Sequence, residues 1–132
     1  MENKKNFADK AVEWLKQSDY DLDTAKYMFD GGRYVYAVFM CHLSAEKALK
    51  GLHQQKLDKT PPKTHNLIYL LNELGIKPDK DMAKAIVLLN ESNIAARYPE
   101  SLELLQKNYS KDIVANIITK SEEIILWIKN QY

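Results

Sequence analysis

The sequence predicts an all-α domain: an antiparallel up-and-down bundle of four long helices plus one short helix. Three observations predict it. Apolar and small residues recur at three- and four-residue spacing in successive segments. Nothing alternates with the two-residue period of a strand. Glycine and proline, four of each, are too scarce for long irregular stretches. The 132 residues suit a single domain, 1–132, large enough to bury its own core.

The first helix is expected from about Phe7 to Asp30, where Ala8, Ala11, Leu15, Ser18, Leu22, Ala25 and Phe29 keep the helical spacing. Gly31-Gly32 ends it, since glycine takes the left-handed C-terminal conformation readily. The second runs from about Arg33 to Gln55. Its stripe of Ala37, Cys41, Ala45, Ala48 and Leu52 is narrow and small, so neighbours can approach closely and this helix belongs at the centre. Pro61-Pro62 then forbid helix in the stretch Lys59–Lys63. Thr64 is the expected N-cap of a short third helix, His65 to Leu74, closed by Gly75. Pro78-Asp79 opens the fourth, with Met82, Ile86, Leu89 and Asn93 inward, and Arg97-Tyr98-Pro99 ends it. Ser101 to Tyr109, with Leu102, Leu104 and Leu105, reads as a helical turn or as a packed loop. Ser110 is the expected cap of the last helix, with Asp112 favourably placed in its first turn. Ile113, Ile117, Ser121, Ile124 and Ile128 form its stripe, with Val114, Ile118 and Ile125 alongside. Its β-branched residues are poor helix formers, but the spacing outweighs propensity.

Composition narrows the function classes. Apolar residues make up 45% and charged residues 28%, an ordinary soluble balance. The net charge of +1 supplies no global field for nucleic acid, so any anion site must be local. The single cysteine, Cys41, cannot form an intrachain disulfide; it suits a reducing compartment and reads as a small buried hydrophobe. No apolar run approaches the ~20 residues of a membrane span. Met1-Glu2-Asn3-Lys4-Lys5 leads into an amphipathic segment rather than a signal-peptide core. The expectation is a cytoplasmic protein without membrane contact.

No glycine-rich phosphate loop, CxxC or His-Glu-x-x-His occurs. His42 and His53 share a helical face but lie three turns apart, too far to hold one metal, and neither a metal nor a cofactor is expected. The residues that carry chemistry are elsewhere. Pro99 places Arg97 at a helix exit, where a guanidinium can fork onto a phosphate or a carboxylate, with Tyr98 beside it. Glu46 and Lys50 are an i,i+4 pair that forms either a solvated face or, with Glu46 near Arg97, a carboxylate that orients the fork. His65, at a helix start, either meets an anion there or fixes the proline-rich loop by hydrogen bonding.

Ala45-Glu46-Lys47-Ala48-Leu49-Lys50, then Thr64-His65-Asn66-Leu67, then Ala96-Arg97-Tyr98-Pro99 resemble the HEPN family in order and spacing. Trp14-Leu15, Asp21-Leu22 and Ala25 fit its first helix, so the resemblance spans nearly the whole chain. It implies a helical bundle that dimerises, a link to nucleotide binding, and a gene beside a minimal nucleotidyltransferase in a two-component, toxin–antitoxin-like pair. The family's toxic branch is implied to cleave RNA without metal, using an arginine, four to six residues, and a histidine, with two such motifs meeting across the dimer cleft. Arg97 matches the arginine. Positions 102, 103 and 104 hold Leu102, Glu103 and Leu104, and no histidine follows His65.

Three functions fit these residues. The first is a binding module, a homodimer holding a nucleotide or RNA phosphate through Arg97, Tyr98, Glu46, Lys50 and His65, or pairing with a nucleotidyltransferase. The second is a ribonuclease in which Tyr98, Glu103 or His65 replaces the missing histidine as proton carrier. The third is an inert scaffold in which Arg97 pairs with Glu46 in the core and Tyr98 packs. The incomplete motif favours the binding module over an enzyme. The eight tyrosines and the small-residue stripe favour a dimer.

Overall fold

A computed structural model describes residues 4–132, with side chains from Asp9 onward. The expected inward position of Ala8 and the reading of Met1–Lys5 lie outside the described residues and side chains. Six helices follow in order: α1 (Lys4–Asp30), α2 (Tyr34–Leu57), α3 (Leu67–Leu74), α4 (Lys80–Arg97), α5 (Leu102–Asn108) and α6 (Lys111–Lys129). Among the described residues there is no strand. The bundle of four long helices is as expected. Residues 101–109, open between turn and loop, form a second short helix because Ser101 accepts a capping hydrogen bond from the Leu104 N–H at 3.1 Å.

Helix α2 touches all the others. Its small stripe, Ala37, Cys41, Ala45, Ala48 and Leu52, is wholly buried. Against α1 the approach is close enough for the hydroxyls of Ser18 and Ser44 to donate to each other's backbone carbonyls, at 2.7 and 2.6 Å. Gly51 lies beside Ala11 and Trp14 of α1, which sets the two helices antiparallel. Helix α6 runs antiparallel to α1, since Lys26 meets Glu122 and Lys129 meets Asp19. It therefore runs parallel to α2, and the two touch across the short diagonal of the bundle. Cys41 of α2 sits beside Ser121 of α6 there, and burial pushes its thiol up to about 11 although Ser121 pulls the other way. A thiol so protonated at neutral pH is a packing group rather than a nucleophile.

Two details differ from expectation. Helix α3 begins at Leu67, not His65, and its cap is Asn66, whose side chain accepts from the N–H groups of Ile68 and Tyr69. Thr64 instead accepts from the Asn66 N–H and shapes the turn before it. Ile113 is 45% exposed, whereas the remaining positions of the last helix's stripe are buried. Val114, one residue or about 100° further round the helix, takes the inward place. No helix among the described residues is long and apolar enough to cross a membrane.

Candidate functional site

Phe39, His42, Glu46 and Lys50 follow one another at three- and four-residue spacing and share a face of α2. Glu46 is the centre. Its carboxylate is buried, and it accepts from Lys50 Nζ at 3.0 Å through Oε2. Its Oε1 lies 2.9 Å from His65 Nδ1 and 3.9 Å from His42 Nδ1. The other ring nitrogen of His42 is 3.4 Å from Asn90 Oδ1 of α4. Asn90 also accepts from the Leu67 N–H at 3.0 Å, so one amide ties α2, α4 and the start of α3 together. The loop before α3 thus delivers His65 to a buried carboxylate while leaving its ring 69% exposed.

Electrostatics follow from this layout. Burial holds His42 below its ordinary 6.5; Glu46 and Asn90 oppose that shift, while the charges of Arg97 and His65 add to it. His42 is therefore neutral at pH 7. Lys50 and Glu46 saturate one another inside the protein. Both side chains are almost wholly buried.

Arg97 closes α4 and is exposed. It makes no ion pair with Glu46, whose oxygens are already occupied, so neither the orienting contact nor a core Arg97–Glu46 pair forms. The guanidinium lies over the Phe39 ring instead, 5.9 Å from the centroid. Tyr98 is 80% exposed rather than packed. Arg97, Tyr98 and Pro99 border an open cavity of about 430 Å³ whose far wall is Tyr36, Phe39 and Leu105. Glu103 is exposed on α5, outside this lining.

The predicted residues therefore fall into two groups on one side of the bundle. Lys50 and His65 meet at the Glu46 carboxylate; Arg97 and Tyr98 stand at the α4 exit; His42 feels both. Three contributors were not singled out from sequence as site residues: Phe39, His42 and Asn90. The helical register contained the signal for the first two, which continue the Glu46–Lys50 face toward the N-terminus. Asn90 is four residues after the buried Ile86, so it too was due to face inward. His53 continues the same face but is buried separately, 3.7 Å from Glu73 Oε1. Among the described residues no group of three His, Cys, Asp or Glu side chains could hold a metal ion.

A family model described as HEPN domain matches residues 11–131. Among solved structures, the chain is similar to TT1696 from Thermus thermophilus, with a TM-score of 0.79 and 22% identity over 93% of this chain and 98% of that one. It is also similar to ST0689, an archaeal HEPN homologue, with a TM-score of 0.75 and 28% identity over 92% and 97% of the two chains. No curated protein matches the sequence.

Proposed function

The chain belongs to the HEPN domain family, and on that premise we propose that it is a cytoplasmic phosphate-binding protein that holds a nucleotide or an RNA phosphate at Arg97. One observation carries the reading. The Arg97 fork is exposed, is backed by the Phe39 ring, and opens on a cavity whose lining contains no carboxylate. A guanidinium in that setting matches a phosphate in shape and charge. Tyr98 supplies an exposed aromatic face beside it. Fluorescence titration of the purified protein with adenine nucleotides and short RNA tests this. Arg97→Ala is expected to weaken binding by about 10- to 100-fold, the ~1.5–3 kcal/mol of a hydrogen bond to a charged group. Equal affinity in both proteins would remove Arg97 from the site.

The protein acts as a homodimer in this reading, paired with a minimal nucleotidyltransferase in a toxin–antitoxin-like system. Support for the dimer comes from an apolar face away from Arg97. Leu88 and Ile113, each more than two-fifths exposed, flank a shallow cavity of about 610 Å³ between α4 and α6. In sedimentation at micromolar concentration the wild type is expected as a dimer and Ile113→Glu as a monomer. A wild type that sediments only as monomer contradicts the proposal. The nucleotidyltransferase pairing rests on family membership, and an adjacent nucleotidyltransferase gene whose product co-purifies with this chain is its check.

A second reading, metal-independent RNA cleavage, is favoured by the Glu46–His65 contact. A buried carboxylate that grips Nδ1 leaves Nε2 of an exposed imidazole without a protein partner, the arrangement of a general base. In that role His65 takes the proton of a ribose 2′-hydroxyl as its oxygen attacks the adjacent phosphorus. The 5′ oxygen departs with a proton from water, and His65 returns its own to solvent. RNA incubated with the protein in chelator should then yield cyclic-phosphate ends, and His65→Gln should lower the rate about 100-fold or more. Absence of cleavage by the wild type would dispose of this reading and leave the binding reading intact.

A further inference from the structure

The chain has three histidines, and two of them are buried on α2 where they meet the two ends of α3. His42 meets its start through Asn90, which also holds the Leu67 N–H. His53 meets its end at Glu73. The two settings differ in one respect. His42 shares the Asn90 amide, whereas among the described residues no hydrogen bond reaches either ring nitrogen of His53.

The His53 ring is wholly buried. Glu73 Oε1, at 3.7 Å, is past hydrogen-bond reach, and 37% of that side chain stays in solvent. A neutral imidazole without partners is costly to bury, and a charged one is far more so. Burial accordingly holds His53 below its ordinary 6.5; Glu73 opposes that shift and the Lys59 charge adds to it.

Lys59 and Glu73 belong to one segment, the connection after α2 followed by α3. Little fastens this segment near His53. Helix α3 has only eight residues and ends at the Gly75 cap. On the α1 side, Thr60 and Pro61 border a cavity of about 320 Å³ together with Lys10, Glu13, Trp14 and Gln54, so the connection is seated over space rather than core. Short helices and irregular segments open at lower free energy than the central helices of a bundle.

We infer that residues 58–75, the connection and α3, form an acid-released flap over α2, with His53 as the group whose protonation opens it. A charged ring carries two N–H donors in a place that satisfies neither. Water reaches them when Lys59 and Glu73 draw away from α2. His65 rides on the same segment, so a fully open flap also takes that ring from Glu46. A charged His65 would pair with Glu46 and hold the start of the flap, so opening begins at the Glu73 end.

The closed flap binds the His53 proton more weakly than the open one, in which the ring titrates near 6.5. Opening is therefore favoured as pH falls below 6.5 and is indifferent to pH well above it. A single proton raises the opening equilibrium by no more than about tenfold at pH 5.5.

Hydrogen exchange read by mass spectrometry at pH 7.5 and 5.5, with labelling times scaled to the intrinsic rate, tests the flap. In the wild type, α3 is expected to open about five- to tenfold more readily at pH 5.5, while α6 keeps its protection. His53→Phe fills the same space without a proton and should abolish the difference. Glu73→Gln removes the carboxylate that favours the charged ring, so it should keep the difference or enlarge it. In NMR of the wild type the His53 ring signal should titrate below 6.5, a check that needs no variant to fold. Equal α3 protection at the two pH values overturns the inference, as does an α3 loss that persists in His53→Phe or is matched in α6. A difference that vanishes in Glu73→Gln overturns it too, because the carboxylate would then be the sensor. So does a His53 signal that titrates at or above 6.5.

Discussion

Glu46→Ala is expected to destabilise the protein by about 3–5 kcal/mol, the loss seen when one partner of a buried ion pair is removed. Lys50 is only 8% exposed, and the carboxylate it pairs with is that of Glu46. His65 loses the partner that holds its ring, and the loop before α3 loses an anchor to α2. Glu46→Gln keeps an oxygen for Lys50 and removes the charge, so its effect should be roughly half as large. Urea unfolding followed by helical signal measures both, with the midpoint shifting at constant slope. A Glu46→Ala midpoint equal to the wild type would show that Lys50 escapes to water at no cost, and that the network is ornamental to the fold. A large stability loss with phosphate binding preserved at low temperature would assign Glu46 to the scaffold rather than to the site.

Gly51→Ala is the second large effect. A Cβ at this position would stand 2.8 Å from Trp14 Cβ and 3.2 Å from the Ala11 carbonyl oxygen, and would meet the Tyr132 hydroxyl even sooner. Alanine in place of glycine favours a helix by about 1 kcal/mol. Overpacking opposes it by up to about 3 kcal/mol, because α1 cannot retreat without breaking the Ser18–Ser44 exchange and the Trp14–Gln54 hydrogen bond. The net expectation is a loss of about 2 kcal/mol and a melting temperature lower by roughly 5–10 °C in calorimetry. A melting temperature that rises would mean that helix propensity dominates and that α1 shifts freely on α2.

Most of the bundle was legible because helical burial is periodic. The stripe Ala37–Leu52, the inward Ile86 and Leu89, and the breaks at Gly31-Gly32, Gly75 and Pro99 all follow from local spacing and backbone sterics. The misplaced details are of another kind. Thr64 and Asn66 can both cap a helix, and the choice between them depends on Asn90, which receives the Leu67 N–H from a different helix. Ile113 and Val114 are equally apolar, and only the position of the neighbouring helices decides which one faces in.

The site divides along the same line. Local sequence is enough to put Arg97 at a helix exit, since Pro99 ends α4 whatever surrounds it, and to set Glu46 and Lys50 one turn apart. It is also enough to place the chain in the HEPN domain family. The partners came only with the packed bundle. Packing turned Glu46 to His65 and Lys50 rather than to Arg97, and left Arg97 over Phe39 and open to solvent. The physical reason is that spacing along a helix sets which face a side chain occupies, whereas ion pairs and cavities depend on distances between helices, which the packing of the whole core sets.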